Sequence, residues 1–223
     1  MQKPNWEDRY STGNTPWDTG VPDEHLIDIV KNLPIRPCRV LEIGCGTGTN
    51  ALWMAEQGFG VLGIDLSPLA INAAKAKANE VAATGHHEGS CEFRQLDFLS
   101  APPPDGPYDF VFDRGCFHVF DKADEQSEYA KRVAAVLGPQ GQWLSIIGST
   151  EGGPREEGPP RRTLRDVVNA IEPFLELCEM RSVVFRAHAP TKALAWRCLS
   201  RQRQVPAQPS TLRQENEVAQ GAA

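Results

Sequence analysis

One stretch decides the fold: Val40-Leu-Glu-Ile-Gly44-Cys-Gly46-Thr-Gly48-Thr-Asn50. Its apolar start is typical of a buried strand, and its end begins a helical pattern. Three glycines at alternate positions separate the two and allow a sharp backbone turn. A strand, a glycine turn and a helix in this order predict a ligand site at the carboxyl end of a parallel sheet.

Strands and helices alternate along the rest of the chain, which is typical of a parallel sheet wrapped by helices. The pattern predicts an α/β fold: a Rossmann-like, doubly wound, mostly parallel seven-stranded sheet with a C-terminal antiparallel hairpin and helices on both faces. Gly138-Pro139 is expected to end the fourth helix. The predicted strands span residues 39–43, 61–65, 91–95, 108–113, 142–147, 177–186 and 193–199, and the predicted helices span residues 24–33, 50–57, 68–83, 125–137 and 163–171.

The 223 residues, 40% of them hydrophobic, suit one domain with decorated ends. We expect a leader in residues 1–22, the domain in 23–200, and a disordered tail in 201–223, which is polar and lacks periodicity. The sequence has no run of about 18 apolar residues, so we predict no membrane span, and its polar start does not resemble a signal peptide. The six scattered cysteines favour free thiols and a cytoplasmic location.

Two classes of ligand use such a glycine loop. Dinucleotide-binding folds have the motif G-x-G-x-x-G, with the pyrophosphate at the helix N-terminus. Here Thr49 occupies the position of the third glycine of that motif. The G-x-G-x-G spacing, preceded by Glu42, instead resembles motif I of the class I methyltransferases. The resemblance implies that the loop packs against the methionine part of S-adenosylmethionine.

Two acidic residues follow later strands at spacings that suit this cofactor. Asp65 lies 21 positions after Gly44, where a carboxylate can accept hydrogen bonds from both ribose hydroxyls. Asp97 follows the third predicted strand, where the family places an acidic residue near the adenine amino group. The expected cofactor contacts in these segments are Glu42, Gly44, Gly46, Gly48, Asn50, Asp65, Leu66, Asp97 and Phe98.

Charge and motifs argue against a nucleic-acid substrate. The formal net charge is −6, whereas binding DNA or RNA usually needs a basic face. The Asn/Asp-Pro-Pro-aromatic tetrad of nucleic-acid amino methyltransferases is absent from the end of the fourth strand. A small-molecule methyl acceptor is therefore the expected partner, and the oligomeric state stays open.

Two other segments narrow the family: Trp6…Tyr10…Thr15-Pro16-Trp17-Asp18-x-Gly20-x-Pro22 and Phe112-Asp113-Arg114-Gly115. They resemble the N-terminal motif and the Trp-Asp-Arg-Gly turn of the thiopurine S-methyltransferase superfamily, which includes a thiol-halide branch. The resemblance spans residues 6 to about 150. It implies that Trp17 covers the cofactor, where an aromatic face attracts a sulfonium, and that Asp113 lies near it.

Methyl transfer from a sulfonium needs alignment and a dry pocket more than covalent chemistry. The catalytic candidates lie just past the fourth strand. Asp113 and His118 are candidate proton acceptors. Arg114 either holds an anionic substrate or forms an ion pair with Asp113 or Asp18. Cys116 is expected to be a packing thiol.

Other chemistry-bearing residues receive weaker interpretations. Arg161 and Arg162, on a loop that also carries Arg155, either close over an anion or remain solvated. His86-His87 lacks a third ligand at metal spacing, so no metal is predicted.

The sequence supports four hypotheses. The leading one is methyl transfer to sulfur, or a comparably soft atom, of a small acceptor. The others are transfer to oxygen or nitrogen of a small metabolite, a nicotinamide oxidoreductase that the glycine spacing disfavours, and a non-catalytic cofactor-binding partner.

Overall fold

A computed structural model describes residues 5–33, 35–83, 88–153, 158–188 and 192–203. These residues form one seven-stranded sheet in the order β3-β2-β1-β4-β5-β7-β6. The strands are β1 (Arg39–Ile43), β2 (Gly60–Asp65), β3 (Ser90–Gln95), β4 (Tyr108–Arg114), β5 (Leu137–Gly148), β6 (Leu175–Phe185) and β7 (Ala193–Gln202). The first five strands are parallel, and β7 and β6 complete the sheet antiparallel to β5. The predicted fold class is confirmed.

Helices cover both faces of the sheet: α1 (Trp6–Ser11), α2 (Glu24–Asn32), α3 (Thr49–Glu56), α4 (Pro68–Ala82), α5 (Ala123–Val136) and α6 (Leu164–Ile171), with a short 3-10 helix at Phe117–Val119. Alternate residues of β1 divide the core because successive strand side chains point to opposite faces. Val40 packs with α2, α3 and α4 residues on one face, and Leu41 packs with α5 and α6 residues on the other.

Local signals mark the starts of two helices, α4 and α6. The Ser67 side chain accepts a hydrogen bond from the Ala70 N–H, and Pro68 opens α4. Thr163 and Asp166 form a reciprocal capping box at the start of α6. Such caps satisfy N–H groups that have no partner within the helix.

Three predictions of element bounds were wrong. Gly138-Pro139 does not end a helix but lies inside β5, which begins at Leu137 directly after α5. The register between β4 and β5 shifts between Tyr108 and Phe110, and proline is tolerated at such irregular strand starts. Strand β7 continues through Gln202, two residues into the predicted tail. The leader contains the helix α1, which was not predicted; the tail beyond Arg203 lies outside the described residues.

Candidate functional site

The glycine loop turns the chain at the carboxyl end of β1 as predicted. Gly44, Gly46 and Gly48 have φ values of 70°, 56° and 83°, a region that side chains other than glycine rarely adopt. The N–H groups of Gly44 and Cys45 both donate to the Ile64 carbonyl, at 2.8 and 2.9 Å, and fix the loop to β2.

The missing side chains of these glycines face other parts of the protein. A Cβ on Gly48 would lie 2.6 Å from the Phe93 ring, and one on Gly44 would lie 3.0 Å from the Cys116 Cβ. A Cβ on Gly46 would lie 3.0 Å from the Tyr10 hydroxyl of the leader. The glycines therefore allow close packing of β3, the turn after β4 and the leader around one loop.

Glu42 is buried beneath this loop. Its Oε1 accepts a hydrogen bond from Asn50 Nδ2 at 3.1 Å, whereas its Oε2 has no hydrogen-bond partner among the described residues. Burial raises the pKa of the carboxyl from 4.5 to about 8, although the hydrogen bond from Asn50 opposes the change. A buried carboxyl with one unpartnered oxygen is suited to receive a cationic group of a ligand.

Asp65 is the last residue of β2, and it accepts a hydrogen bond from the glycine loop. Its two oxygens accept hydrogen bonds from the Gly46 and Ser67 N–H groups, each at 2.9 Å. Burial raises the pKa of this carboxyl, against the effect of these backbone hydrogen bonds. Each carboxylate oxygen can accept a further bond, so the geometry is compatible with ribose hydroxyls. The adjacent Leu66 side chain is half exposed.

The segment after β3 matches the prediction less well. Asp97 is exposed, and its Oδ1 accepts a hydrogen bond from the Leu99 N–H. Phe98 was predicted as a cofactor contact, but its ring is buried in the core and lies edge-on to Tyr129 at 5.1 Å. The Phe98 side chain is thus not placed to meet a ligand, and its carbonyl accepts from Arg132 Nη1 at 3.1 Å.

The leader lies over the glycine loop. Trp17 Nε1 donates to the Tyr10 hydroxyl at 3.4 Å, and both residues line a cavity together with Gly44, Gly46 and Arg114. The cavity measures about 60 Å³, against roughly 300–1,000 Å³ for small-molecule pockets. The cavity in this structure is therefore smaller than a ligand of nucleoside size requires.

Polar contacts fasten the leader in this position. Asp18 Oδ2 accepts from the Thr47 hydroxyl at 2.7 Å, and Lys77 Nζ donates to the same hydroxyl at 2.6 Å. On the other side of the loop, the Ser67 hydroxyl donates to Glu7 Oε2 at 2.5 Å. The leader thus bonds to α4 and to the loop itself.

Asp113 anchors the turn after β4 from within the core. It is fully buried, and its carboxylate accepts from Trp143 Nε1 at 2.9 Å and from the Cys116 and Phe117 N–H groups at 3.2 and 3.0 Å. Burial raises the pKa of this carboxyl to about 6. This placement does not fit the predicted role of Asp113 as a proton acceptor or a cofactor contact, because no oxygen reaches the cavity.

Arg114 extends from the same turn into the cavity wall. Its Nε donates to Asp23 Oδ2 at 2.7 Å, its Nη1 to the Trp17 carbonyl at 3.1 Å, and its Nη2 to the Arg186 carbonyl. The guanidinium also lies 4.3 Å from the Phe185 ring centroid. The ion pair expected with Asp113 or Asp18 is instead made with Asp23.

His118 is buried, and its Nδ1 accepts a hydrogen bond from the Gly148 N–H at 2.8 Å. A neutral imidazole has one acceptor nitrogen, so this bond places the ring proton on Nε2. Such a ring does not offer a lone pair to a substrate, contrary to the predicted role as a proton acceptor. The histidine holds the end of β5 against the turn.

The loop arginines are also bonded within the protein. Arg161 donates to the Ser149, Thr150 and Glu151 carbonyls, and Arg162 donates to the His118 carbonyl and to Asp121 Oδ1. The solvated-loop interpretation of this pair is therefore wrong. Three other residues named from the sequence, Arg155, His86 and His87, lie outside the described residues.

Sequence reasoning missed several site residues. Tyr10 and Asp18 were quoted within the leader motif but received no role as cavity residues. Thr47 lies between the glycines. Asp23 precedes α2 as an N-cap residue, and its carboxylate accepts a hydrogen bond from the His25 N–H. Their contacts to other elements cross long stretches of sequence, which no local pattern reports.

Comparison with known proteins identifies the family. The profile of the family "Thiopurine S-methyltransferase (TPMT)" matches residues 1–185. The chain belongs to this family. Membership confirms the resemblance predicted from the leader and the Asp-Arg-Gly turn, and with it the class of S-adenosylmethionine-dependent methyltransferases.

The individual proteins to which this chain is similar share about a quarter of its residues in the aligned region. The chain is 28% identical over 155 residues to a probable thiol methyltransferase 2 of Arabidopsis thaliana, covering 68% of this chain and 66% of that protein. It is 25% identical over 158 residues to a 2-heptyl-1-hydroxyquinolin-4(1H)-one methyltransferase of Mycobacteroides abscessus, covering 69% and 66%. The chain thus spans about two thirds of the length of these relatives.

A solved structure supports the fold. The protein studied for the conversion of a disulfide bond into a thioacetal group during echinomycin biosynthesis superposes with a TM-score of 0.75 at 24% identity, covering 91% of this chain and 92% of that one. In the described part of the chain, no helix is long and apolar enough to cross a membrane. The same residues contain no group of three or more His, Cys, Asp or Glu placed to hold a metal ion.

Proposed function

We propose that this protein is an S-adenosylmethionine-dependent methyltransferase that methylates a small molecule at sulfur. The observation that carries the proposal is the glycine loop with a buried carboxyl on each side, Glu42 and Asp65, beneath the Trp17 of the leader. Family membership supports the same activity.

The residues fit the cofactor at both of its ends. The unpartnered Oε2 of Glu42, held next to Asn50, would receive the ammonium of the methionine part. Asp65 would accept the ribose hydroxyls, with Leu66 beside the adenine. The Asp97 carboxylate would take the adenine amino group and the Phe98 backbone its ring edge.

The bound cofactor would supply a methyl group on a positively charged sulfur. Glu42 and Asn50 would hold its methionine end and Asp65 its ribose, the methyl group would be transferred to the acceptor sulfur, and the thiol proton would pass to water. The protein's part is to align the acceptor and exclude solvent, which can contribute about 7–11 kcal/mol in favourable cases. Trp17 and the turn around Arg114 line the cavity where this alignment would occur.

Sulfur is favoured over harder atoms by the chemistry around the cavity. The reference pKa of a thiol is about 8.5, so part of it is thiolate near neutral pH without a strong base. The two predicted proton acceptors, Asp113 and His118, have their acceptor atoms bonded inside the protein. The probable thiol methyltransferase of Arabidopsis also supports transfer to sulfur.

Calorimetry with S-adenosylhomocysteine tests the cofactor site. We expect binding by the full chain and a loss of at least about tenfold in affinity for Asp65→Asn, because charged hydrogen bonds contribute roughly 1.5–3 kcal/mol each. Asp109→Asn is the matched control, since this exposed aspartate lies at the opposite end of the sheet. Absence of binding by the wild-type chain would refute the proposal.

A screen of acceptors with labelled methyl donor tests the reaction itself. Thiols, thiopurines, halides, chalcogen oxyanions and phenols form the panel. We expect turnover with thiols or thiopurines; turnover confined to phenols would refute transfer to sulfur and leave the cofactor site intact.

Transfer to oxygen or nitrogen is the second candidate. It is favoured by the relative from Mycobacteroides abscessus, whose named substrate contains no sulfur. A base touching the acceptor atom in a ligand complex would support this candidate over the first.

The proposal keeps the location and the partner that were expected from the sequence. All six cysteines are free thiols, which supports a reducing compartment such as the cytoplasm. The net charge of −6 supports a small-molecule acceptor and not a nucleic acid.

A further inference from the structure

Arg114 supplies the positive charge of the cavity wall. Among the described residues that line this cavity, it is the one cationic side chain. A free guanidinium in a cavity wall would attract anionic acceptors such as carboxylates, because it matches their geometry and charge. The partners of Arg114 therefore bear directly on which acceptors can enter.

Asp23 removes this attraction. Its carboxylate lies 2.7 Å from Arg114 Nε, and the two side chains are only 2% and 10% exposed. Salt screens buried pairs much less than exposed ones. The carbonyls of Trp17 and Arg186 take two further guanidinium N–H groups. The ion pair is thus electrically neutral and is bonded on several sides.

Two features keep Asp23 in position. Its Oδ1 accepts from the His25 and Leu26 N–H groups at the start of α2, at 2.9 and 3.3 Å. Its own N–H donates to Asn50 Oδ1 at 2.9 Å. Asp23 is therefore fixed both by the helix that follows it and by the glycine-loop helix.

The neighbouring loop does not restore a free positive charge. Arg161 donates to three backbone carbonyls, and Arg162 donates to the His118 carbonyl and pairs with Asp121 at 2.6 Å. The Arg9 guanidinium lies over the Trp17 ring at 5.1 Å and does not line the cavity. In the described structure, the remaining charged side chain of the cavity wall is the anionic Asp18.

We propose that Asp23 is a specificity-determining residue: by neutralising Arg114, it makes the acceptor site select uncharged thiols over thiols that carry a carboxylate. The proposal rests on the proposed methyl transfer to sulfur. Asp23 acts through Arg114, so it is a positioning residue and not a catalytic one.

The test compares two acceptors that differ by a single carboxylate, benzyl mercaptan and 4-(mercaptomethyl)benzoate. We expect the wild-type enzyme to have a kcat/KM at least about tenfold higher for the uncharged thiol. In Asp23→Asn the Arg114 charge is no longer neutralised, so this ratio should fall at least about tenfold, mainly through a lower KM for the carboxylate.

The asparagine variant is chosen to preserve the structure. Asparagine caps helices about as well as aspartate, so its oxygen can keep the bonds from the His25 and Leu26 N–H groups, whereas its NH₂ group cannot accept from Arg114 Nε. Glu24→Gln is the matched control: it removes the adjacent, half-exposed carboxylate, which pairs with Arg186 at 3.1 Å. We expect this control to leave the ratio unchanged.

The outcomes separate this inference from the proposed function. If the wild-type enzyme methylates neither thiol, the proposed function fails. If it methylates both with similar kcat/KM, or if Asp23→Asn leaves the ratio unchanged while folded, the role of Asp23 is refuted and the methyltransferase activity stands. If Asp23→Asn does not fold, Asp23→Ser takes its place, because serine also caps a helix and carries no charge; an unchanged ratio in this variant refutes the role of Asp23.

Discussion

Replacing Glu42 by glutamine should change how stability depends on pH. Burial raises the pKa of Glu42 from 4.5 to about 8, so the folded protein holds this proton more tightly than the unfolded chain. Its contribution to stability is therefore greatest below pH 4.5 and is lost as the pH rises to about 8. At about 1.36 kcal/mol per pKa unit, the loss across that window is about 4–5 kcal/mol.

Glutamine does not titrate, and its amide oxygen can still accept from Asn50 Nδ2. Its NH₂ group would lack a partner, which costs about 1–3 kcal/mol. We therefore expect Glu42→Gln to be less stable than the wild-type protein at pH 5 and more stable at pH 9, by about 2–3 kcal/mol. Asp65 and Asp113 also have raised pKa values, but they are present in both proteins and cancel in the difference.

Urea denaturation at pH 5, 7 and 9 measures this difference. Glu92→Gln, on the exposed side of β3, is the control and should show no such pH dependence. A constant difference between wild type and Glu42→Gln across the three pH values would mean that Glu42 titrates normally, and the reasoning would be refuted. The same variant should bind S-adenosylhomocysteine at least about tenfold more weakly, because glutamine cannot lose a proton to form a carboxylate that pairs with the ammonium.

Three other changes test the loop and its supports. Gly48→Ala should lower the free energy of unfolding in urea by about 2–4 kcal/mol, because φ is 83° and a Cβ would lie 2.6 Å from the Phe93 ring. Gly153→Ala is the control and should leave this free energy unchanged, because there is open space around Gly153. Asp65→Asn should lower the thermal transition, because the amide can accept from only one of the Gly46 and Ser67 N–H groups, and calorimetry should show weaker S-adenosylhomocysteine binding; unchanged binding would contradict its assignment. Ser67→Ala should cost about 1 kcal/mol as a lost N-cap and should speed proteolysis of the leader, and an unchanged cleavage rate would argue against the contact with Glu7.

The sheet and its helices could be predicted because their signals are local. Most strand and helix ends lie within one or two residues of the prediction, since apolar periodicity, the Ser67 cap and the glycines mark them directly. The start of β5 was missed because Pro139 normally interrupts a strand, and only the irregular pairing with β4 allows it there. Helix α1 was missed because its six residues bury no side chain and leave no periodic pattern.

The geometry of the candidate site could be predicted only around the glycine loop. The loop, Glu42 and Asp65 were found because their spacing along the chain follows from the strand–turn–helix order. The roles given to Asp113 and His118 do not fit the structure because a sequence shows which residue follows a strand but not whether its side chain turns inward. The pairing of Asp23 with Arg114 joins residues 91 positions apart and could not be read from either segment.

These contacts link the two halves of the site. Glu42 is bonded to Asn50, Asn50 accepts from the Asp23 backbone, and Asp23 pairs with Arg114 on the acceptor side. The Arg114 charge also lowers the pKa of Glu42, against the larger effect of burial. In Asp23→Asn the Arg114 charge is no longer neutralised, so the pKa of Glu42 should fall. The pH range over which Glu42 changes the stability of the fold should therefore become narrower. One buried aspartate would then control both the acceptor that the cavity admits and the charge state of the carboxyl beneath the cofactor loop.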